Sequence, residues 1–254
     1  MAWSERQQQM LRLMGLRTWS PPQAEAVVAS RVEAPAESPA PAHPTAPSPS
    51  PSAPPPGERS GLDWDALRNA VAGCRACGLC ETRRQTVFGV GHVQAHWLIV
   101  GEAPGEQEDL RGEPFVGAAG QLLDNMLRAL NLTRSAEGPE PPQQRVYITN
   151  TLKCRPPGNR NPTPEELQRC APFLTRQIEL LRPRLILAMG RFAAQALLHS
   201  TEPIGRLRGR VHRAHDLPLI VTYHPAYLLR NLPDKARAWE DLCLAAEVAQ
   251  QTPT

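Results

Sequence analysis

The sequence predicts an α/β protein: a three-layer αβα sandwich around a central four-stranded parallel sheet, preceded by a disordered, Pro-rich N-terminal extension. Two observations carry this prediction. From residue 96 onward, short apolar runs alternate with longer segments of helical periodicity, and such alternation favours a parallel sheet covered by helices on both faces. Before residue 61, prolines are interleaved with Ala and Ser, and such a segment buries too little apolar surface to fold.

Composition sets the predicted domain boundaries. We expect residues 1–20 to form a short amphipathic peptide, residues 21–60 a disordered linker rich in Pro, Ala and Ser, and residues 61–254 the folded domain. A Pro-rich tract of this kind favours extended, partly polyproline conformations. The remaining residues suffice for one hydrophobic core.

Charge and the first residues limit the function classes. The net charge is +3, and only Lys153 and Lys235 are lysines among the 28 basic residues. A GC-rich coding bias or phosphate contacts, for which Arg is a good bidentate partner, would each explain this. Charge alone does not decide between them. Residues 1–10 show no signal-peptide pattern, and no run reaches the length of a membrane span. We therefore expect a cytoplasmic monomer with reduced thiols and no membrane partner.

Four short apolar runs are the predicted strands. They are nearly continuous rather than alternating, which is typical of parallel strands buried on both faces. In chain order they are WLIVG at 97–101, VYITN at 146–150, RLILAMG at 184–190 and LPLIVTYH at 217–224.

Helical periodicity fills the segments between these runs and follows the last of them. The predicted helices span about 119–131, 163–181, 191–199 and 234–250. The second of these begins with clear signals, because Thr163 suits an N-cap and Pro164 suits the first turn. Glu165 and Glu166 then suit the positive end of the helix.

Polar, Gly-rich and Pro-rich segments follow the predicted strands. They read GEAPGEQED, NTLKCRPPGNRNP, GR and HPAYLLR, in chain order. In open α/β sheets, ligands bind at the carboxyl ends of the strands. The sequence therefore predicts the functional site at this edge of the sheet.

The six cysteines indicate a metal site. A Cys74-x-x-Cys77 pair precedes the sheet, and Cys154 and Cys170 flank the loop after the second strand, while Cys243 lies on an apolar helix face. Four thiolates bind either one zinc ion or a four-iron cluster. Spacing alone does not choose between them, with zinc as the default, and unligated reduced thiols are a third alternative.

Several longer segments resemble a known family. They are VFGVG, GEAPGEQEDLRGEPFVGAAGQLLDNML, VYITNTLKCRPPGNRNPTPEELQRC, IGRLRGRVH and VTYHPAYLLR. Together and in this order they are similar to the family 4 uracil-DNA glycosylases, bacterial and archaeal enzymes that carry a [4Fe–4S] cluster. The resemblance runs from about Leu67 to Leu244. It implies a uracil-DNA glycosylase-like fold and excision of uracil from DNA, the first step of base excision repair.

The resemblance also implies a ligand set for the cluster. Carried over by position, the ligands are Cys74, Cys77, Cys154 and Cys170. Cys80 falls outside this set and is interpreted as a bystander.

Roles in uracil binding follow from the same resemblance. Phe115 would stack on the flipped base, Asn150 would read its O4 and N3–H edge, and Glu108 would lie near C5 and exclude the thymine methyl. Gly101 would let the backbone approach the base closely. Ala103 belongs to the same loop and stands where other branches of the superfamily have Asp or Asn.

Two residues are the candidate catalytic groups. His224 would donate to uracil O2 and stabilise the departing anion. Glu102 would orient the attacking water, an assignment that rests on elimination because Ala103 has no acid. The alternative is a largely dissociative reaction that needs no strong base.

The remaining predicted site residues face DNA. Leu228 and Leu229 would fill the gap left by the flipped nucleotide, as apolar wedges do at unstacked steps. The predicted phosphate contacts are Arg206, Arg208, Arg210 and Arg230.

Two rival functions stay open at this point. One is a nucleic-acid-binding module without catalysis, although such a module would not need Glu102, Asn150 and His224 together. The other is a branch of the superfamily that traps uracil-DNA covalently through a histidine in the loop after the second strand. Asn161 stands about where that histidine would fall, and no His occurs between His96 and His199. Turnover is therefore favoured.

The N-terminal peptide suggests a partner. Met10, Leu11, Met14 and Leu16 lie near helical spacing before Trp19, and Trp anchors are common where segments dock into grooves. The pattern resembles the N-terminal peptide of the psi subunit of the bacterial clamp loader. This resemblance implies a replisome partner, with the linker raising the local concentration of the enzyme.

Overall fold

The computed structural model describes residues 61–251. The predicted N-terminal peptide and linker lie outside the described residues, as do residues 252–254. Within residues 61–251, no helix is both long enough and apolar enough to span a bilayer.

Within this part of the chain, six strands form one mixed sheet. In chain order they are β1 Val90–Gly91, β2 Trp97–Gly101, β3 Val146–Asn150, β4 Leu185–Met189, β5 Val211–Ala214 and β6 Leu217–Thr222. Their order across the sheet is β1-β3-β2-β4-β6-β5. The four central strands are parallel, while β1 and β5 pair antiparallel at the two edges. The predicted four-stranded parallel sheet is confirmed as the centre of a larger sheet.

The two edge strands do not follow from the sequence pattern, for a physical reason in each case. β1 is only two residues long. β5 buries only Ala214 of its four residues, so it lacks a continuous apolar run. His215 and Asp216 connect β5 to β6, and their φ angles of 50° and 60° are left-handed, as in the tight turns of hairpins.

The α-helices lie before, between and after these strands. In chain order they are α1 Trp64–Ala72, α2 Leu79–Thr82, α3 Glu106–Arg111, α4 Ala118–Ala129, α5 Pro164–Leu181, α6 Arg191–Leu198, α7 Ile204–Leu207, α8 Pro225–Leu228 and α9 Asp234–Gln251. Two short 3₁₀ segments occupy Pro142–Gln144 and Pro157–Asn159. The four helices predicted from periodicity correspond to α4, α5, α6 and α9.

Helices cover both faces of the sheet. On one face, α5 and α6 pack Ile178 and Leu197 in a cluster with Leu98 of β2. On the other face, α4 and α9 contribute Leu123 and Leu242 to a second cluster. Every residue of β2, β3 and β4 is buried, as the continuous apolar runs predict. The three-layer αβα architecture is confirmed.

The start of α5 fixes the loop that leads out of β3. The Thr163 hydroxyl accepts from the Glu166 amide at 3.2 Å, and the Glu166 carboxylate accepts from the Thr163 amide at 2.8 Å. This is a reciprocal capping box. Arg160 donates to both oxygens of Glu166, at 2.9 and 2.5 Å. The loop is therefore held rigidly where it passes the carboxyl edge of the sheet.

Candidate active site

An open cleft of about 470 Å³ lies at the carboxyl ends of β2, β3 and β6. Seven residues proposed from the sequence line it: Glu102, Ala103, Glu108, Phe115, Asn150, His224 and Arg230. The loop after β3 contributes Asn159, Arg160 and Asn161. The structure thus brings the strand-end motifs together at the edge where the sequence predicts the site.

Phe115 brings an aromatic ring to this cleft. The residue is 5% exposed, and its ring stacks on that of His224 with centroids 5.2 Å apart and an interplanar angle of 27°. Its φ of 55° is left-handed, which is rare for a bulky residue. Gly120 makes this turn possible, because a Cβ there would lie 1.8 Å from the Phe115 carbonyl oxygen.

Two charged side chains hold the Phe115 turn from opposite sides. Glu108 accepts from the amide of Val116 at 3.0 Å and, through its other oxygen, from the amide of Gly105 at 3.1 Å. Arg134 donates twice to the Phe115 carbonyl oxygen, at 3.0 and 3.1 Å. A left-handed aromatic residue persists only where its surroundings fix it. These contacts supply that constraint.

Asn150 and Phe115 meet above Gly101. Asn150 ends β3, is 2% exposed, and pairs with Gly101 of β2. A Cβ at Gly101 would lie 2.4 Å from the Asn150 Oδ1 atom and 2.7 Å from the Phe115 Cζ atom. Any side chain at this position would displace both the amide and the ring, so the glycine is explained by close approach.

A buried lysine supports Asn150 from the interior of the protein. Lys153 is 1% exposed, and its Nζ donates to the Asn150 carbonyl oxygen at 2.7 Å. It also donates to Thr149 Oγ1 at 2.6 Å and to Gln177 Oε1 at 2.7 Å. Burial lowers the pKa of this lysine to about 8, although the nearby thiols of Cys170 and Cys154 act in the opposite direction.

His224 is held as a neutral imidazole with a defined tautomer. Its Nδ1 atom accepts from the backbone amide of Ala226 at 3.1 Å, so the proton resides on Nε2. Burial lowers its pKa to about 4, against the opposing charge of Glu108 and together with that of Arg230. The ring is therefore a neutral N–H donor at physiological pH.

Glu102 follows β2 directly and is half-buried. Burial raises the pKa of its carboxyl group to about 7, even though the positive charge of Arg191 favours ionisation. A carboxyl group that titrates near neutral pH within a cleft is suited to proton transfer.

A second, smaller cavity collects the cysteines. Its lining includes Cys74, Cys77, Cys80, Cys154 and Cys170. Burial raises the pKa of the Cys154 thiol, and the guanidinium of Arg83, which donates to Cys154 Sγ at 2.9 Å, opposes this shift. The four cysteines proposed as ligands thus lie together, and Cys80 lies with them. Cys243 belongs to α9, well along the chain from this cavity.

Comparison with known proteins decides the family. The sequence profile of the Uracil DNA glycosylase superfamily matches residues 88–243, which include the cleft residues described above. The chain belongs to this superfamily. Its resemblance to family 4 also has counterparts among curated relatives.

Two type-4 uracil-DNA glycosylases are among the most similar relatives of this superfamily member. The protein of Archaeoglobus fulgidus is 44% identical over 173 residues, covering 65% of this chain and 82% of the relative. The protein of Thermotoga maritima is 41% identical over 175 residues, covering 68% and 86%. A type-5 uracil-DNA glycosylase of Thermus thermophilus is 32% identical over 160 residues, covering 54% and 73%.

The two leucines predicted as wedges differ from each other in burial. Leu228 is 1% exposed and packs with Tyr223 and Ala238, so it cannot serve as a wedge without leaving the core. Leu229 is 42% exposed. Of the two predicted wedges, only Leu229 is therefore accessible from solvent, and its role stays a prediction.

The arginines also divide into two groups. Arg206, Arg210 and Arg230 are exposed. Arg208 is not, because its Nε donates to Asp241 at 3.0 Å and its side chain is only 14% exposed. Arg208 thus ties the α7–β5 loop to α9, and its predicted phosphate contact stays a prediction.

The sequence analysis does not identify two supporting residues, Arg134 and Lys153. Arg134 lies nineteen residues after Phe115 in the chain, and no local pattern connects them. Lys153 does leave a signal, since it is one of two lysines in a chain whose other basic residues are arginines.

The cysteine cavity holds thiol donors of the kind that bind zinc or an iron–sulfur cluster. Among residues 61–251, no group of three or more His, Cys, Asp or Glu side chains is arranged to hold a metal ion. Lys153 and Arg83 beside the thiols supply the positive charge that anionic ligands require.

Proposed function

We propose that this chain hydrolyses the N-glycosidic bond of uracil in DNA and leaves an abasic site. The observation that carries the proposal is the convergence of a neutral histidine donor, a buried amide, an aromatic ring and a half-buried carboxyl group on one cleft. The superfamily match and the names of the type-4 relatives support the same activity.

Uracil must leave the helix before it can reach these groups. Phe115 offers the flat surface for the flipped base, and aromatic stacking accepts any base face. Asn150 supplies the selection, because its amide donates to O4 and accepts from N3–H. Cytosine presents the opposite pattern, and a buried amide left unpaired is costly.

His224 acts on the leaving base. The Nε2–H donates to uracil O2, where negative charge develops as the bond to the sugar breaks. A neutral N–H donor suits this task, because at physiological pH it forms a hydrogen bond to the base without transferring its proton. The hydrogen bond, fixed in advance by the Ala226 amide, strengthens as the charge grows.

Glu102 acts on the sugar side. In its ionised form it orients the attacking water and stabilises positive charge on the deoxyribose. Glu108 has a different role, because its two oxygens are engaged by backbone amides. It keeps the loop of Phe115 and the loop of Gly105 in contact around the base, beside C5 in the proposed pose.

The DNA backbone meets exposed cations of the domain. Arg206, Arg210 and Arg230 contact phosphates in this proposal, and Leu229 enters the gap left by the flipped nucleotide. Residues 61–254 would then form the catalytic domain of a cytoplasmic, monomeric bacterial enzyme.

We further propose that Cys74, Cys77, Cys154 and Cys170 hold a [4Fe–4S] cluster. When bound, the cluster would serve as a cross-link between the segment before the sheet and the β3–α5 loop. Freshly purified protein should then contain about four iron and four sulfide per chain. Zinc in an anaerobic preparation would refute the cluster and leave the catalytic proposal intact.

Residues 1–20 are proposed to bind the clamp-loader core. The support is the spacing of their apolar residues before Trp19. A pull-down with residues 1–25 should recover the core, and a Trp19→Ala peptide should not. Equal recovery by both peptides, or by neither, would end this proposal.

An oligonucleotide assay tests the activity itself. Strands that carry uracil, thymine or cytosine at one position are incubated with the protein and then treated with alkali. Cleavage is expected at uracil alone, and Asn150→Ala or His224→Ala should abolish it in protein that remains folded. Binding without cleavage at every salt concentration would favour the non-catalytic module.

A further inference from the structure

Lys153 lies between the base-reading end of β3 and the cysteine cavity. It directly precedes Cys154, lines the cysteine cavity, and is buried. An ammonium group has three donors. All three are used here, on Thr149 Oγ1, the Asn150 carbonyl oxygen and Gln177 Oε1. The side chain is therefore fixed in one position.

The three acceptors of this ammonium group are uncharged oxygens. A buried charge is stable only if it is compensated by hydrogen bonds and by a charge of opposite sign. The ionisable groups that act on it most strongly are the thiols of Cys170 and Cys154. In addition, burial raises the pKa of the Cys170 thiol, and the charge and backbone of Lys153 oppose this shift. Ligand thiolates at these positions would supply the missing negative charge.

The other side of the same network fixes the end of β3. Thr149 and Gln177, which bind the ammonium group, both donate to the Phe88 carbonyl oxygen, each at 2.9 Å. Asn150 is thus anchored through its own carbonyl group, while its side chain faces Gly101 and the cleft. A shift of the ammonium group would move the strand end from which the amide projects.

We propose that Lys153 is a positioning residue that couples the cysteine site to uracil recognition. Its charge stabilises the ligand thiolates, and its hydrogen bonds hold Asn150 where the amide reads the base. The proposal rests on the proposed glycosylase activity and on the cysteine ligand set. It assigns two separable effects to one side chain.

Three variants of the full chain separate these effects. Lys153→Met removes the charge and the donors at similar length, while Lys153→Arg keeps the charge but changes the donor geometry. The matched control is Arg83→Met. Arg83 donates to Cys154 Sγ and to the carbonyl oxygens of Ala72 and Cys74. This variant therefore disturbs the cysteine side of the network.

Two measurements are made on each variant. The first is the rate at which iron is lost to a chelator. The second is the single-turnover rate of uracil excision at saturating enzyme, normalised to iron content. The affinity for DNA that carries an abasic analogue is determined alongside this rate. Lys153→Met and Arg83→Met should each lose iron about tenfold faster. Of these two variants, only Lys153→Met should also lower the normalised excision rate, by about tenfold or more, with unchanged DNA affinity.

Lys153→Arg should retain iron as the native protein does and still excise slowly. A wild-type excision rate for iron-loaded Lys153→Met would overturn the proposal, as would an equal loss of rate in Arg83→Met. Should Lys153→Met fail to fold, a wild-type excision rate in Lys153→Arg would refute the coupling. A native protein that excises no uracil would refute the proposed function instead, and the chelator rates would still decide the role of the charge.

Discussion

The pH dependence of excision should report the ionisation of Glu102. Burial raises its pKa to about 7, and the reaction needs the ionised carboxylate to orient water. His224 does not titrate in the same range, because its pKa is lowered to about 4. Between pH 5 and pH 7, Glu102 therefore controls the rate, which falls as the pH falls because the carboxylate becomes protonated.

The expected magnitude follows from that value. A carboxyl group of pKa about 7 is about 1% ionised at pH 5 and half ionised at pH 7. The single-turnover rate should rise roughly fiftyfold over this interval. An ordinary glutamate, with a pKa of about 4.3, would give almost no change above pH 6.

The assay is single-turnover excision from a uracil oligonucleotide between pH 5 and pH 9, with folding checked by thermal melting at each pH. Glu102→Gln should be slower by about 10²- to 10⁴-fold and should lose the slope. Glu106→Gln is the matched control, because Glu106 begins α3 four residues after Glu102 and has a side chain 63% exposed. A flat profile in the native protein, or an unchanged slope in Glu102→Gln, would refute the role of Glu102.

Three further predictions concern other parts of the site. Arg134→Met should release the left-handed aromatic turn and lower kcat/KM by about tenfold, because the charge-assisted hydrogen bonds to the carbonyl oxygens of Pro114 and Phe115 are lost; an unchanged kcat/KM would contradict this. Leu229→Ala should slow excision from duplex but not from single-stranded DNA, whereas Leu228→Ala should lower the melting temperature, since it removes about 2–5 kcal/mol of core packing. Cys154→Ala should yield iron-poor, less stable protein, while Cys80→Ala should keep its iron; equal iron in both variants would contradict the ligand set.

The sequence predicts the parallel core well because each central strand is buried on both faces. Short continuous apolar runs such as WLIVG are typical of strands buried on both faces. The Thr163-Pro164 pair is a clear signal for the start of α5. β5 is different, because only Ala214 of its residues is buried. Its pairing depends on the left-handed turn at His215 and Asp216, which lacks the glycine that usually marks such a hairpin.

The site was predictable where it depends on strand ends and less so elsewhere. Asn150 and His224 terminate or follow strands, so topology alone brings them to one edge. Arg134 and Lys153 act through contacts between distant or buried groups, which a linear pattern does not contain. The choice between Leu228 and Leu229 depends on which side of the single-turn helix α8 faces the core, and only the packing decides it.

Product identification tests the central claim most directly. The full-length protein is mixed with a molar excess of uracil-containing DNA, and free uracil, abasic DNA and any protein–DNA adduct are quantified by mass spectrometry. Hydrolytic excision predicts free uracil and abasic sites in equal amounts, both exceeding the enzyme in moles. Intact DNA that remains bound, or an adduct that survives denaturation at one per chain, would contradict it.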